Sequence, residues 1–198
     1  EIAMSSKSTK KKKIQDEDAV PQEILNRREV YDWIQCLITA LIICVMIFVF
    51  FIRVIDVVGT SMLPTLQHGN KMLVSGFLYK PKYGDVVVFK ADSYDPDKAL
   101  VKRVIAVSGD DINIDFDKGI VYVNGEPIEE PYINELTKTK LDFIGPKEVP
   151  EGCVFVMGDN RNASTDSRDS RIGMVDSRLI LGKVYFVLFP LDDFKLVE

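Results

Sequence analysis

Between Trp33 and Ile52 the chain runs for twenty residues without a charged side chain. As a helix rising about 1.5 Å per residue, such a run covers ~30 Å, the hydrocarbon thickness of a bilayer. The core helix of a soluble protein can be as apolar but is seldom uninterrupted for so long, so the run is read as a transmembrane anchor. Tyr31 and Trp33 at one end and Arg53 at the other suit the two membrane interfaces. Lys7, the run Lys10 to Lys13, Arg27 and Arg28 precede the anchor, whereas only Arg53 and Lys71 fall in the first twenty residues after it. This bias predicts a cytoplasmic N-terminus and an extracytoplasmic C-terminal domain. The run is longer than an ordinary signal-peptide core and no small-x-small cleavage site follows it directly, so it is expected to be retained.

The anchor divides the chain. Residues 1–32 are polar and charge-mixed and are expected to form a disordered tail. Residues 53–198 are enough for one domain with a core of its own. Lysine and arginine balance aspartate and glutamate in 1–32, so 53–198 carries the whole net charge of −5. No basic surface suggests nucleic acid. Of the three cysteines, Cys36 and Cys44 lie in the anchor and Cys153 lies far beyond it, which leaves no disulfide framework. Cys153 opens the apolar run Cys153–Met157 and is read as a buried structural thiol.

Past Arg53 the pattern becomes short apolar runs separated by turn residues. Asp85–Phe89, Ala99–Val107, Gly119–Val123, Val154–Met157 and Gly182–Phe189 read as strands, and Asn124-Gly125 is a hairpin signal. Helix signals there are weak, and the fold class is mainly β. Residues 109–150 are richer in Asp, Glu, Pro and turns, and read as a small excursion from the main sheet.

One histidine and scattered cysteines cannot build an ordinary zinc site, the carboxylate clusters lack EF-hand spacing, and there is no Gly-rich phosphate loop. No metal or cofactor is expected. A Ser-His-Asp triad would need His68, which sits in a turn-like stretch and reads as a surface residue. What remains is a serine with a lysine. A lysine acts as a general base only if burial lowers its pKa by several units from ~10.4. In the strand Ala99–Ala106, alternation puts Leu100, Lys102, Val104 and Ala106 on one face, with Lys102 its only charge. The same pattern fits a lysine on the solvated face of an edge strand, and periodicity does not decide between the two. The serine candidate is Ser61, in Val57-Val58-Gly59-Thr60-Ser61-Met62-Leu63-Pro64. There a strand end and a glycine would expose a hydroxyl at a sharp apolar turn, nine residues past the anchor and so close to the membrane surface.

Three linked motifs then carry a resemblance. They are Gly59-Thr60-Ser61-Met62-Leu63-Pro64-Thr65-Leu66, Val101-Lys102-Arg103-Val104-Ile105-Ala106-Val107-Ser108-Gly109-Asp110, and Gly158-Asp159-Asn160-Arg161-Asn162-Ala163-Ser164-Thr165-Asp166-Ser167-Arg168. In this order behind one span, over about residues 33–190, the chain resembles the bacterial type I signal peptidases of the single-span, Gram-positive kind. The resemblance implies a mainly β catalytic domain of antiparallel sheets and a membrane-bound serine endopeptidase that cuts exported preproteins after small-x-small sites. It implies Ser61 as nucleophile and Lys102 as general base. It also implies Ser164 orienting the Lys102 amine, and Asp159 with Arg103 and Asp166 with Arg168 bracing the site as ion pairs. Ile55, Val57, Met62, Leu66, Leu100 and Val101 are the expected lining of the substrate pockets. Some relatives carry a serine two residues before the nucleophile as an oxyanion donor. Here that position is Gly59, so the hole would rest on the Ser61 backbone N–H and a second donor not yet identified. The implied partners are secreted preproteins and the lipid bilayer. A catalytically silent relative acting as an assembly or chaperone factor is the alternative, and it should lack Ser61 or Lys102. A self-cleaving repressor of the same Ser-Lys type would need a DNA-binding region that the chain does not have.

Overall fold

The computed structural model describes residues 22–91 and 93–197. Most of the expected tail, including the lysine run at 10–13, lies outside them. The first element, α1, is a helix over Gln22–Phe51. It takes in residues 22–32 as well as the uncharged run. Extending an existing helix needs no new nucleus, and Glu23, Leu25, Arg27, Arg28 and Glu29 are good helix formers, so the helix propagates back into polar sequence. Its stretch Glu29–Ile47 is unburied, and by length and composition it is the one helix among the described residues able to cross a membrane.

The remainder, from Phe48 onward, is a separate compact unit. Its strands are β1 (Arg53–Asp56), β2 (Lys71–Ser75), β3 (Val86–Ala91), β4 (Asp95–Val107), β5 (Asp111–Asp115), β6 (Ile120–Val123), β7 (Glu126–Pro127), β8 (Lys147–Glu148), β9 (Cys153–Met157), β10 (Val175–Asp176), β11 (Ile180–Phe189) and β12 (Lys195–Leu196). The larger sheet has the order β1-β2-β11-β3-β4-β9-β10, with β12 on β11, and the smaller has the order β7-β6-β5-β8. Every pairing is antiparallel. The stretch 109–150 thus holds a sheet of its own. Its hairpin turns at Asn124-Gly125, where both residues have positive φ (54° and 83°), the geometry a tight two-residue turn requires.

The strand β4 organises the site. It pairs with β3 on one side, Lys102 lying opposite Val87, and with β9 on the other from Arg103 onward. The expected alternation holds for Leu100 and Val104, which pack with Val87 and Phe89. It fails at Ala106. Val104 faces Val156 but Ala106 faces Phe155, so Ile105 is the extra residue of a β-bulge. Ile105 and Ala106 consequently both pack into the core beneath the smaller sheet, with Ile112, Phe143 and Phe155.

A third core, beneath β2 and β11, contains Met72, Val74, Val184 and Val187. It also takes Leu66, which is fully buried, and this corrects the expectation that Leu66 lines a substrate pocket. The turn that carries Ser61 directs Leu66 inward, onto the sheet. Leu66→Ala should therefore act on stability, lowering it by about 2–5 kcal/mol in a denaturant titration. Cleavage-site preference measured on the folded fraction should not change.

Candidate active site

The chain between β1 and β2 forms a helical turn over residues 60–66, followed by a tight turn at 67–70. Leu66 N–H donates to Met62 O at 2.9 Å and Leu63 N–H to Thr60 O at 3.2 Å. Ser61 stands at the start of this turn. The turn lies against the loop that follows β9, where Asn160 N–H donates to Ser61 O at 3.0 Å and Asn160 Nδ2 to Thr60 O at 3.0 Å. Gly158 makes this approach possible. A Cβ there would lie 2.4 Å from Ser61 O and 2.3 Å from Ser164 Oγ, so no larger residue fits without moving the serine. At the other side of the turn, Gly59 N–H donates to Nδ1 of the exposed His68 at 3.2 Å.

Lys102 meets Ser61 from β4. A hydrogen bond of 2.6 Å joins Lys102 Nζ and Ser61 Oγ, and a second, of 3.0 Å, runs from Nζ to Val101 O. Lys102 is 3 % exposed, which excludes the solvated edge-strand alternative. Burial lowers its pKa from 10.5 to about 8, with Asp166 and Asp159 opposing the shift and Arg168 assisting it. An amine of this kind has a substantial neutral fraction a little above neutrality, half at about pH 8, and already touches the hydroxyl it could deprotonate. The Ser61 N–H has no acceptor among the described residues and is free for an oxyanion.

Charged pairs surround the two residues. Arg103 and Asp159 are joined by Nη2–Oδ2 and Nε–Oδ1 contacts of 2.8 and 2.9 Å, both residues essentially unexposed. Arg103 Nη1 also donates to Gly84 O at 2.7 Å, and the Tyr132 ring lies 4.0 Å from its guanidinium carbon. Asp166 and Arg168 form a second pair with Nη2–Oδ2 and Nε–Oδ1 contacts of 2.8 Å, both fully buried. Asp166 Oδ2 also accepts the Gly158 N–H at 3.0 Å. A third buried arginine, Arg161, lies 2.6 Å from Glu130 and donates from Nε to Gly158 O at 3.0 Å.

Two expected features differ. Ser164 is buried, but its Oγ has no hydrogen-bond partner. The expected bond to the Lys102 amine is not formed: Nζ is held by Ser61 Oγ and Val101 O, and Ser164 Oγ lies against Gly158. The residues expected to line the substrate pockets divide. Ile55, Val57, Met62, Leu100 and Val101 line a cleft of about 390 Å³ together with Ser61 and Lys102, and Leu66 does not. Asn160, which fixes the serine turn, lay within the third motif with no role assigned to it. Its Asx-type position in a Gly-Asp-Asn turn was the available signal.

A family described as signal peptidase, peptidase S26, matches residues 30–189. Signal peptidase I of Bacillus licheniformis is 35% identical over 184 residues, covering 85% of this chain and 94% of that protein. Signal peptidase IB of Staphylococcus aureus strain COL is 35% identical over 187 residues, with coverage of 85% and 94%. A crystal structure of a signal peptidase I from Enterococcus faecalis V583 aligns with a TM-score of 0.44 at 28% identity, covering 53% of this chain and 97% of that one.

The buried amine has a consequence for stability. Its folded pKa of about 8 lies below the ordinary 10.5. Below pH 8 both folded and unfolded chains hold the proton, and folding carries the full cost of burying an ammonium. That cost fades as pH rises from about 8 to 10.5, where the folded chain has shed the proton and the unfolded chain still holds it. Its size is about 3 kcal/mol. Lys102→Met should thus be at least as stable as the parent protein at pH 7, with a difference that narrows across pH 8–10.5 in thermal melts. A variant that melts far lower at pH 7 would show that the lysine is held charged and paired.

Proposed function

The chain belongs to the peptidase S26 family of signal peptidases, and from that premise we propose that it is a membrane-anchored serine endopeptidase removing signal peptides from exported preproteins. In this reading Ser61 is the nucleophile and Lys102 the general base. The observation that carries it is the 2.6 Å contact between Ser61 Oγ and an amine whose pKa is lowered to about 8.

Neutral Lys102 accepts the Ser61 hydroxyl proton as Oγ bonds to the scissile carbonyl carbon. The carbonyl oxygen becomes an oxyanion, which the Ser61 N–H stabilises; one such donor contributes ~10²–10³ in rate. The Lys102 ammonium returns the proton to the departing peptide nitrogen, leaving an ester on Ser61. Neutral Lys102 then takes a proton from water as the water oxygen adds to the ester carbon; the bond from that carbon to Ser61 Oγ breaks, the carboxylic acid leaves, and Oγ takes the proton back from Lys102. The pairs Arg103–Asp159 and Arg168–Asp166 act by holding the site, not by reacting.

The substrate is an extended peptide. Among the described residues β1 is paired only with β2, and residues 99–101 of β4 are paired only with β3. Two open strand edges thus flank the cleft, a setting in which backbone hydrogen bonds bind a peptide and side-chain pockets select it. The apolar walls given by Ile55, Val57, Met62, Leu100 and Val101 suit small apolar side chains such as alanine at the first and third positions before the cut. The anchor is α1, with the N-terminus cytoplasmic and the catalytic domain outside, because the lysine run at 10–13 precedes it.

Cleavage of an Ala-x-Ala preprotein in detergent tests the reading. Ser61→Ala and Lys102→Arg should each lose activity by several orders of magnitude, the arginine because it stays charged. For the parent protein, kcat/KM should rise with pH through about 8, and His68→Ala should leave that limb in place. Cleavage by Ser61→Ala at the parent rate would end the assignment. Topology is tested separately: protease added to intact cells should reach residues 60–198 and not the lysine run, and labelling of that run from outside would reverse the orientation.

A further inference from the structure

The Asp159 carboxylate holds two segments at once. Its Oδ1 accepts from Arg103 Nε at 2.9 Å, and its Oδ2 accepts from Arg103 Nη2 at 2.8 Å and from the Thr65 hydroxyl at 2.5 Å. Arg103 is the strand neighbour of Lys102. Thr65 lies four residues past Ser61, in the turn closed by the bond from Leu66 N–H to Met62 O. Positions four apart in a helical turn share a face, so a tether on Thr65 governs the rotation of the turn and with it the direction of Ser61 Oγ. Asn160 pins the start of the same turn at the carbonyls of Thr60 and Ser61. Without Thr65 the far end has no polar tie to the loop after β9, and its other anchor is the apolar side chain of Leu66. The carboxylate is fully buried, so water does not compete for it.

We propose that Thr65 is a positioning residue: its hydroxyl, donated to Asp159, locks the serine-bearing turn to the same carboxylate that holds the lysine-bearing strand. The distance from Ser61 Oγ to Lys102 Nζ is thereby set through one shared anchor. The proposal rests on the reading of Ser61 and Lys102 as the reacting pair. Thr65 does not line the substrate cleft, so its effect falls on the chemical step and not on binding.

Steady-state kinetics on the full-length chain in detergent, with an Ala-x-Ala preprotein, test this. Thr65→Val keeps the shape, removes the hydroxyl and leaves Asp159 paired with Arg103. It should lower kcat by about 10²-fold, the scale of loss that follows a misplacement of about 1 Å, with KM unchanged. Thr65→Ser should restore most of the rate. Should the valine variant fail to melt cooperatively, Thr65→Ala takes its place in the same comparison, since Thr65 is only half-buried. Parent-like kcat in Thr65→Val, an effect on KM alone, or a serine variant as slow as the valine one would each overturn the proposal. Ser61→Ala assayed alongside separates the two levels. If Ser61→Ala is dead and Thr65→Val is unimpaired, only the role of Thr65 falls. If Ser61→Ala cleaves at the parent rate, the reading of the dyad falls and this proposal with it.

Discussion

A lysine amine takes a proton from a serine near neutral pH only when water has been stripped from it, and much of the domain follows from that requirement. Lys102 lies in the middle of β4, closed in by β3 and by the turn that carries Ser61. Burial alone would push its proton off, and bare carboxylates close by would draw the proton back. Asp159 and Asp166 do oppose the shift, and burial still outweighs them. Each is engaged by an arginine through two contacts, so neither faces the amine as an unpaired charge.

Buried ion pairs are poor sources of stability. Desolvating both partners can cost more than their attraction returns, and apolar residues of the same size often serve better. Here the arginines do more than neutralise. Arg168 Nη1 donates to Thr139 O and Nη2 to Arg161 O, both at 2.7 Å, and Arg161 Nη1 donates to Thr137 Oγ1 at 3.1 Å. The first and last of these bonds tie the loop 158–168, on which the serine turn rests, to the irregular chain at 137–139, and the second closes the loop on itself. The stretch 109–150 thereby backs the loop 158–168. Removing one partner would strand a charge in the interior, a loss of about 3–5 kcal/mol, so the pairs define one arrangement even where they add little stability.

The mainly antiparallel fold class was legible because β3, β9 and β11 are β-branched runs ended by turn residues. The strands β1, β2 and β5 were not. Arg53-Val54-Ile55-Asp56 is short and abuts the anchor, Lys71–Ser75 is flanked by polar turns, and Asp111-Ile112-Asn113-Ile114-Asp115 alternates cleanly but in residues that usually mark loops. Lys102 stood out as the lone charge on an apolar strand face, yet the same pattern described an exposed edge; only the serine turn laid over it, which buries the amine, separates the two. The bulge at Ile105 left no local signature, and the inward turn of Leu66 depends on where the serine turn lands on the sheet. The unpartnered Ser164 hydroxyl and the Thr65–Asp159 bond are likewise products of tertiary placement, since 94 residues separate the latter pair.

The bulge in β4 also bears on how the domain comes apart. By adding one residue to the strand, it lets a single thirteen-residue segment contribute Val101 to one apolar core, Leu100 and Val104 to a second, and Ile105 and Ala106 to the third. Two sheets that could have been separate folding units are threaded on the same piece of backbone. Loosening either should disturb the other, so hydrogen exchange from β4 amides should follow global opening and not local breathing. The amine at the centre of that strand is carried on backbone whose side chains pack in all three cores.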